Sequence, residues 1–483
     1  MNKKAKITVV GGGIAGLAAA HRAAQLLENQ GRGGTVTLLE KKDRWGGKII
    51  SEKVNGLVIE GGPDAFIITK PWAMKACREF NLEDSLHGMD PAQNKTFVLK
   101  DGELRPLPEG LMMMIPSKFM PMIATNLLTW PEKFRMGMDF FIPPRNGKGD
   151  ESLGEFVSRR LGRAAYERLI EPLLSGIYAG DGDQLSLAST FPYLKDLELD
   201  HGGLIKGALA VRRKRAQRRR KKTSDSPAQN SRGIFRSLTG GLGQLVDAYR
   251  GALEDYGVDL RLNREVREVA RTAEGYRLTT AGGEKLDSET LILAAPAFAS
   301  GEMLSRLAPS LANTMKAIPY VSTATVSLAF DQKTLSTALN GRGYVIPRRE
   351  GREALACTWT SSKFPHRAPA GTSLLRVFIG RAGQEGQLRW DEDHLIMIAR
   401  KELEKTLGIT AEPILKRAFV WKYAMPQYNL GHSELLASIE RSLGMLPGLR
   451  LAGNGYQGIG IPDCIRSGRE AAEELLKLKH DTN

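Results

Sequence analysis

The chain opens on an apolar run, Lys6-Ile7-Thr8-Val9-Val10, which breaks at Gly11-Gly12-Gly13-Ile14-Ala15-Gly16 and continues into an alanine-rich stretch. That pattern predicts a strand, a tight turn and a helix. Thr35-Val36-Thr37-Leu38-Leu39 reads as a second strand, ending at Glu40. Much later come a strand at 258–262, a hairpin around 276–280 with its turn at Gly282-Gly283, and a strand at 290–295 stopped by Pro296. Helical apolar spacing appears at 153–157 and 164–174, and alternation at 324–330 and 373–379 predicts a sheet with one covered face. Near the end, Leu451-Ala452-Gly453-Asn454 predicts a short strand and 469–478 a helix. The chain has no internal repeat.

The first turn carries chemistry. Gly11 permits the tight bend, Gly13 lets backbone approach a phosphate, and Gly16 lets the helix pack closely on the strand. The helix start, with Ile14 and Ala15 in its first turn, offers N–H groups and a positive dipole. Glu40, at the tip of the second strand, is placed to accept from both ribose hydroxyls and to repel a 2′-phosphate. Together these predict a site for an adenine dinucleotide.

Length and composition bound the rest. A chain of 483 residues suggests two or three domains, and 42% apolar with 7% aromatic content suits a well-buried globular protein. Cys77, Cys357 and Cys464 are far apart and form no CxxC pair, which argues against a disulfide framework, a structural zinc site or an iron–sulfur cluster. No metal is expected. The first residues lack signal-peptide architecture and no 18-residue apolar run exists, so a reducing, cytoplasmic setting is expected.

Of the net charge of +15, nine positive charges with no acid fall in 211–222, followed by a polar, turn-rich stretch. Residues 211–232 are therefore read as an exposed basic loop. Three roles stay open for it: a solvated loop, peripheral attraction to anionic membrane lipid, and steering of an anionic substrate. Nucleic-acid binding is not expected, because aromatics for base stacking are absent around the run. The methionine-rich stretch 111–123, broken by Pro116 and Pro121, is read first as core, with a ligand channel or a membrane contact as alternatives.

After Glu40 comes Arg44-Trp45-Gly46-Gly47-Lys48-Ile49-Ile50-Ser51, and then Glu60-Gly61-Gly62-Pro63-Asp64. These segments resemble the flavin amine oxidase superfamily, in which they run along the FAD diphosphate and beside the flavin ring. The C-terminal 455–460 turn and its helix resemble the element that brings a helix N-terminus to the flavin carbonyl. Further segments narrow the likeness: Gly62-Pro63-Asp64-Ala65-Phe66, Glu171-Pro172-Leu173-Leu174-Ser175-Gly176-Ile177-Tyr178-Ala179-Gly180-Asp181, Cys357-Thr358-Trp359-Thr360, Met425-Pro426-Gln427-Tyr428, and Gly458-Ile459-Gly460-Ile461-Pro462-Asp463-Cys464-Ile465. The chain resembles, over its whole length, the protoporphyrinogen/coproporphyrinogen oxidases of haem synthesis, nearest the soluble Gram-positive type.

The resemblance implies an α/β plus α+β fold with a discontinuous Rossmann-like FAD-binding domain (1–53, 236–300, 428–483). It adds a β-sheet substrate domain (54–109, 301–427) and a mainly helical insert (110–235). It implies an FAD-dependent six-electron oxidation of coproporphyrinogen III, or of protoporphyrinogen IX, with molecular oxygen as acceptor and peroxide as product. FAD would meet Gly11, Gly12, Gly13, Ile14, Ala15, Gly16, Glu40, Lys41, Arg44, Gly46, Gly47, Lys48, Gly62, Pro63, Asp64, Val266, Ala295, Asn454, Gly458, Gly460, Ile461 and Pro462. Lys70 is a candidate partner for a substrate propionate, against the alternative of a solvated lysine. Gly176 and Gly180 are candidates for bringing backbone close to the macrocycle. No catalytic base is assigned, since His366 and His432 are isolated. Two rivals share the architecture: an amine oxidase or carotenoid-type desaturase, and a flavin-free binding scaffold.

Overall fold

The structure, a computed structural model, describes residues 5–31, 33–112, 115–116, 118–145, 149–221 and 233–478. The chain divides into two compact units, one of 1–88, 234–319 and 433–483, the other of 89–233 and 320–432.

The first unit is built on a five-stranded parallel sheet in the order Asp259–Arg261, Gly34–Leu39, Ala5–Val10, Thr290–Leu293, Leu449–Leu451. Its strands are runs of Val, Ile and Leu buried on both faces, as a sheet covered by helices requires. Helix Ile14–Asn29 packs against the C-terminal helix Ile461–Leu478 and against Gly243–Asp255. The alanines make the first contact close: Ala18, Ala19, Ala20 and Ala23 are wholly buried, and a Cβ on Gly468 would overlap the Ala15 carbonyl. A three-stranded antiparallel sheet, Val266–Thr272, Gly275–Thr280 and Lys285–Ser288, includes the expected hairpin. The C-terminal helix begins at Ile461, eight residues before the expected start.

The second unit holds a seven-stranded sheet in the order Leu415–Pro426, Tyr320–Asp331, Thr372–Ile379, Ala354–Trp359, Gly343–Val345, Phe97–Lys100, Glu103–Pro106. The two strands read from alternation pair antiparallel, Ala324 opposite Ile379. One face is covered by helix Glu392–Leu407 through Leu395, Ile398, Ala399 and Leu403. The expected helices of 110–235 are present, among them Leu153–Leu161, Glu171–Tyr178 and Pro192–His201. Arg160, wholly buried, ties them together by donating to Asp139 Oδ1 at 2.5 Å and to the Ile142, Asp139 and Gly202 carbonyls.

Two expectations change. The stretch 211–221 is not a loop: it continues helix Leu204–Lys221, because Arg, Lys, Ala and Gln are all good helix formers and the charge run contains no breaker. Residues 222–232 lie outside the described residues. The boundaries also differ: 54–88 belong with the parallel-sheet unit, because Phe66–Ile67 and Leu86–Gly88 flank Phe235–Leu238 in one small sheet. Residues 301–319 stay in that unit, and 428–432 in the other. Of the methionine-rich stretch, Met122 is buried, Met120 and Ile123 are exposed, and 113, 114 and 117 lie outside the described residues. It is not uniformly core.

Candidate functional site

The two glycine segments meet in the first unit. Gly46 N donates to Gly12 O at 2.8 Å, and Gly13 and Gly46 form an isolated parallel bridge. Gly11, at φ +111°, lies against the Ala294–Ala295 backbone, where a Cβ would come 2.8 Å from Ala294 O. A Cβ at Gly16 would overlap Gly11 O, and one at Gly12 would strike the Trp45 ring. Beside Gly13 the space is open, the nearest atom to a Cβ being Gly47 Cα at 3.9 Å. Among the described residues no side chain caps helix Ile14–Asn29 at Gly13, and no acid sits in its first turn. This leaves the positive end of that helix to an anion.

Glu40 is buried at the tip of its strand. Its carboxylate accepts from Gly12 N at 2.6 Å and from Lys42 N at 2.9 Å, which fixes its direction. Asn263 N donates to Lys42 O at 3.0 Å and Arg264 N to Glu40 O at 2.8 Å. Val266, buried, begins the strand just beyond, and Lys41 is exposed at the same edge. Arg44 donates to the Trp45, Gly47 and Ile49 carbonyls, and so pins the turn that carries the second glycine pair.

Lys48 follows. Its Nζ donates to Asn454 Oδ1 at 3.4 Å, and among the described residues no carboxylate is paired with it. Burial pulls its value down from 10.5 to about 8, with the Cys464 thiol opposing in a smaller way. A buried lysine inside a glycine cradle, still mostly charged at neutral pH, is a group in need of an anion. A Cβ at Gly62 would overlap the Lys48 carbonyl, so the 60–64 segment lies directly against this turn. Asp64 O accepts from Ser237 Oγ at 2.6 Å, and Pro63 stands between Gly62 and Asp64 in sequence.

The C-terminal element closes the same region. Gly453 N donates to Ser467 Oγ at 3.1 Å, and Gly458 (φ +87°) and Gly460 lie over the Asp463 carboxylate. Ile461 and Pro462 open the last helix, with Asp463 in its first turn. Lys70 is not a free cation: its Nζ donates to both oxygens of Asp463, each at 2.7 Å. Asp463 and Glu60 carried no role in the sequence reading. Glu60 accepts from Ser51 Oγ at 2.6 Å and from Leu242 N at 2.7 Å, which anchors the start of helix Gly243–Asp255 to the cradle. Only their places inside the quoted motifs could have drawn attention to them.

In the second unit, Gly176 sits in helix Glu171–Tyr178 with open space where a Cβ would be. That helix ends on Ala179 in the left-handed region, φ +50°. The carbonyls at its end accept hydrogen bonds within the chain: Tyr178 O from Gln427 Nε2, Ala179 O from Ala382 N, and Gly180 O from Arg348 Nη2. A Cβ at Gly180 would overlap Gln427 Oε1, so this glycine is needed for packing within the chain. His432 stacks on Tyr428 with ring centroids 4.2 Å apart, a packing role.

The donors fit FAD. An open glycine turn at a helix N-terminus and an underpaired lysine suit the diphosphate, a fixed carboxylate suits the ribose, and a glycine-lined second helix start suits the flavin end. Such a fold and cradle define a flavin-dependent oxidoreductase. The family of flavin-containing amine oxidoreductases matches residues 14–476, and the chain belongs to it. Among curated relatives, coproporphyrinogen III oxidase of Bacillus subtilis (strain 168) is 36% identical over 98% of both chains. Protoporphyrinogen oxidase 1 of Arabidopsis thaliana chloroplasts is 31% identical over 97% of this chain and 87% of its own. A crystal structure described provisionally as a protoporphyrinogen oxidase from Exiguobacterium sp. 255-15 matches with a TM-score of 0.85 at 32% identity, over 99% of each chain. Reduced UDP-galactopyranose mutase, at a TM-score of 0.70 and 16% identity, shares the fold.

Proposed function

We propose that the protein is an FAD-dependent porphyrinogen oxidase of haem synthesis acting on coproporphyrinogen III, with protoporphyrinogen IX as a second substrate. One coproporphyrinogen III and three O2 give coproporphyrin III and three H2O2, so six electrons and six protons leave the macrocycle. The observation that carries this is end-to-end similarity to a coproporphyrinogen III oxidase, at 36% identity over 98% of both chains, combined with a complete flavin cradle. Bound FAD supplies the two-electron acceptor, used three times, and the chain's residues bind and orient. The cradle speaks against a flavin-free scaffold. Cys464 is buried and its thiol is pushed up to about 12 by that burial, which makes it a poor nucleophile for covalent flavin attachment of the kind some amine oxidases use.

Side-by-side kcat/KM values for the two porphyrinogens test the assignment, with porphyrin fluorescence as readout. A higher value for coproporphyrinogen III is expected. A preference for protoporphyrinogen IX would overturn the substrate choice, and peroxide from aromatic amines without porphyrin would overturn the reaction.

One observation favours peripheral contact with an anionic membrane. Thr129 and Glu132 form a capping box on helix Trp130–Gly137, which presents Trp130 and Phe134 one turn apart to solvent. Met120 and Phe141 are exposed nearby in sequence, and the basic helix Leu204–Lys221 packs against the 138–140 turn. Lys133 and Lys206 lie 4.6 Å from the Trp130 and Phe140 ring centroids. Exposed aromatics beside a cationic helix are the composition of an interfacial contact. Trp130→Ser with Phe134→Ser is expected to lower sedimentation with phosphatidylserine-containing vesicles at low salt and to leave turnover intact. Equal sedimentation would remove this contact.

A further inference from the structure

The ion pair between Lys70 and Asp463 joins two segments 393 residues apart. The Asp463 side chain is 8% exposed and lies under the glycine turn at 458–460, in the first turn of helix Ile461–Leu478, whose start is the one suited to the flavin end. A carboxylate enclosed in this way is strongly disfavoured without a cation. Lys70 supplies one while its own side chain stays half exposed, at 51%. Lys48, Lys70 and Asp463 all act electrostatically on the buried Cys464 thiol, which places the three charges around one point at the start of this helix.

The sign of the local field follows. The helix N-terminus is positive, and the Asp463 charge within its first turn opposes that field. Lys70 cancels the Asp463 charge. We propose that Lys70 is a positioning cation for the cofactor: held by Asp463, it keeps the field at the flavin end of the cradle positive and sets the reduction potential of bound FAD. This rests on the FAD cradle and not on the porphyrinogen assignment.

The test is the midpoint potential of the holoprotein's flavin, measured without substrate by equilibration with a reference dye. Lys70→Ala uncovers the Asp463 charge. It is expected to lower the potential by about 30 mV or more, a tenfold change in the reduced-to-oxidised ratio of a two-electron couple. Lys70→Arg, which keeps the charge, and the double variant Lys70→Ala/Asp463→Asn, which removes both charges, are expected to stay within about threefold of wild type in that ratio. If the double variant does not retain FAD, the comparison of Lys70→Ala with Lys70→Arg decides. An unchanged potential in Lys70→Ala overturns the proposal, as does a fall that Lys70→Arg shares. A raised KM for coproporphyrinogen III at unchanged potential would make Lys70 a substrate contact instead, and would leave the function assignment standing.

Discussion

Lys48 gives the account a pH test with a definite sign. Its ammonium is held in the cradle with Asn454 Oδ1 at 3.4 Å as partner, and burial lowers its value to about 8. At that value the empty site is about nine-tenths protonated at pH 7 and about one-tenth at pH 9. An anion favours the charged form, so binding FAD to the neutral form must first take up a proton. The dissociation constant is therefore expected to rise about tenfold from pH 7 to pH 9, roughly 1.4 kcal/mol. Lys48→Arg keeps the charge at both pH values and should flatten the profile. Lys48→Met should be flat and weaker throughout. Stability of the apoprotein carries the mirror image. Between about 8 and the ordinary 10.5 the unfolded chain holds the proton and the folded chain does not, so apoprotein stability rises with pH through that window. The assay is titration of apoprotein with FAD, followed by quenching of flavin fluorescence. Equal wild-type affinity at the two pH values, or a parallel slope in Lys48→Arg, would refute the reasoning.

Glu40→Ala removes a carboxylate that two backbone N–H groups hold in place, and a charge-assisted hydrogen bond from a ribose hydroxyl to it contributes about 1.5–3 kcal/mol. Its FAD affinity should fall by about a hundredfold, with Glu40→Gln intermediate, in the same fluorescence titration. Arg160→Ala strands Asp139, which is wholly buried, and should cost about 3–5 kcal/mol in urea unfolding followed by circular dichroism. Leaving only part of that loss in Arg160→Met/Asp139→Leu would show that the uncompensated charge, and not lost volume, is responsible.

The legible parts of the sequence were those whose chemistry is local. The turn at 11–16 needs glycine at Gly11 and Gly16 for packing and leaves open space at Gly13, and Glu40 falls at the end of a strand carrying Val36, Leu38 and Leu39. The two strands at 324–330 and 373–379 were legible because polar residues are interspersed among apolar ones, although the fold buries both faces, Thr325 and Ser327 included. Pairings across long separations were not. Nothing near Lys70 points to Asp463, and nothing in 66–67 points to its partner strand at 235–238. The 211–221 helix is hard to see for a different reason: a run of charge is shared by solvated loops and exposed helices, and only the helix propensity of Arg, Lys, Ala and Gln separates them. Gly180 shows a third limit. A glycine invites the idea of a close ligand, yet here it makes room for Gln427.

The most direct test of the whole account is the stoichiometry of one reaction. Purified protein with its bound FAD is mixed with a known amount of coproporphyrinogen III in air, and coproporphyrin fluorescence and peroxide are followed together. Three peroxides per porphyrin, with production abolished when the flavin is stripped and restored by FAD, are the predicted result. Porphyrin formed equally well without FAD, or no porphyrin from fully loaded protein, would contradict it.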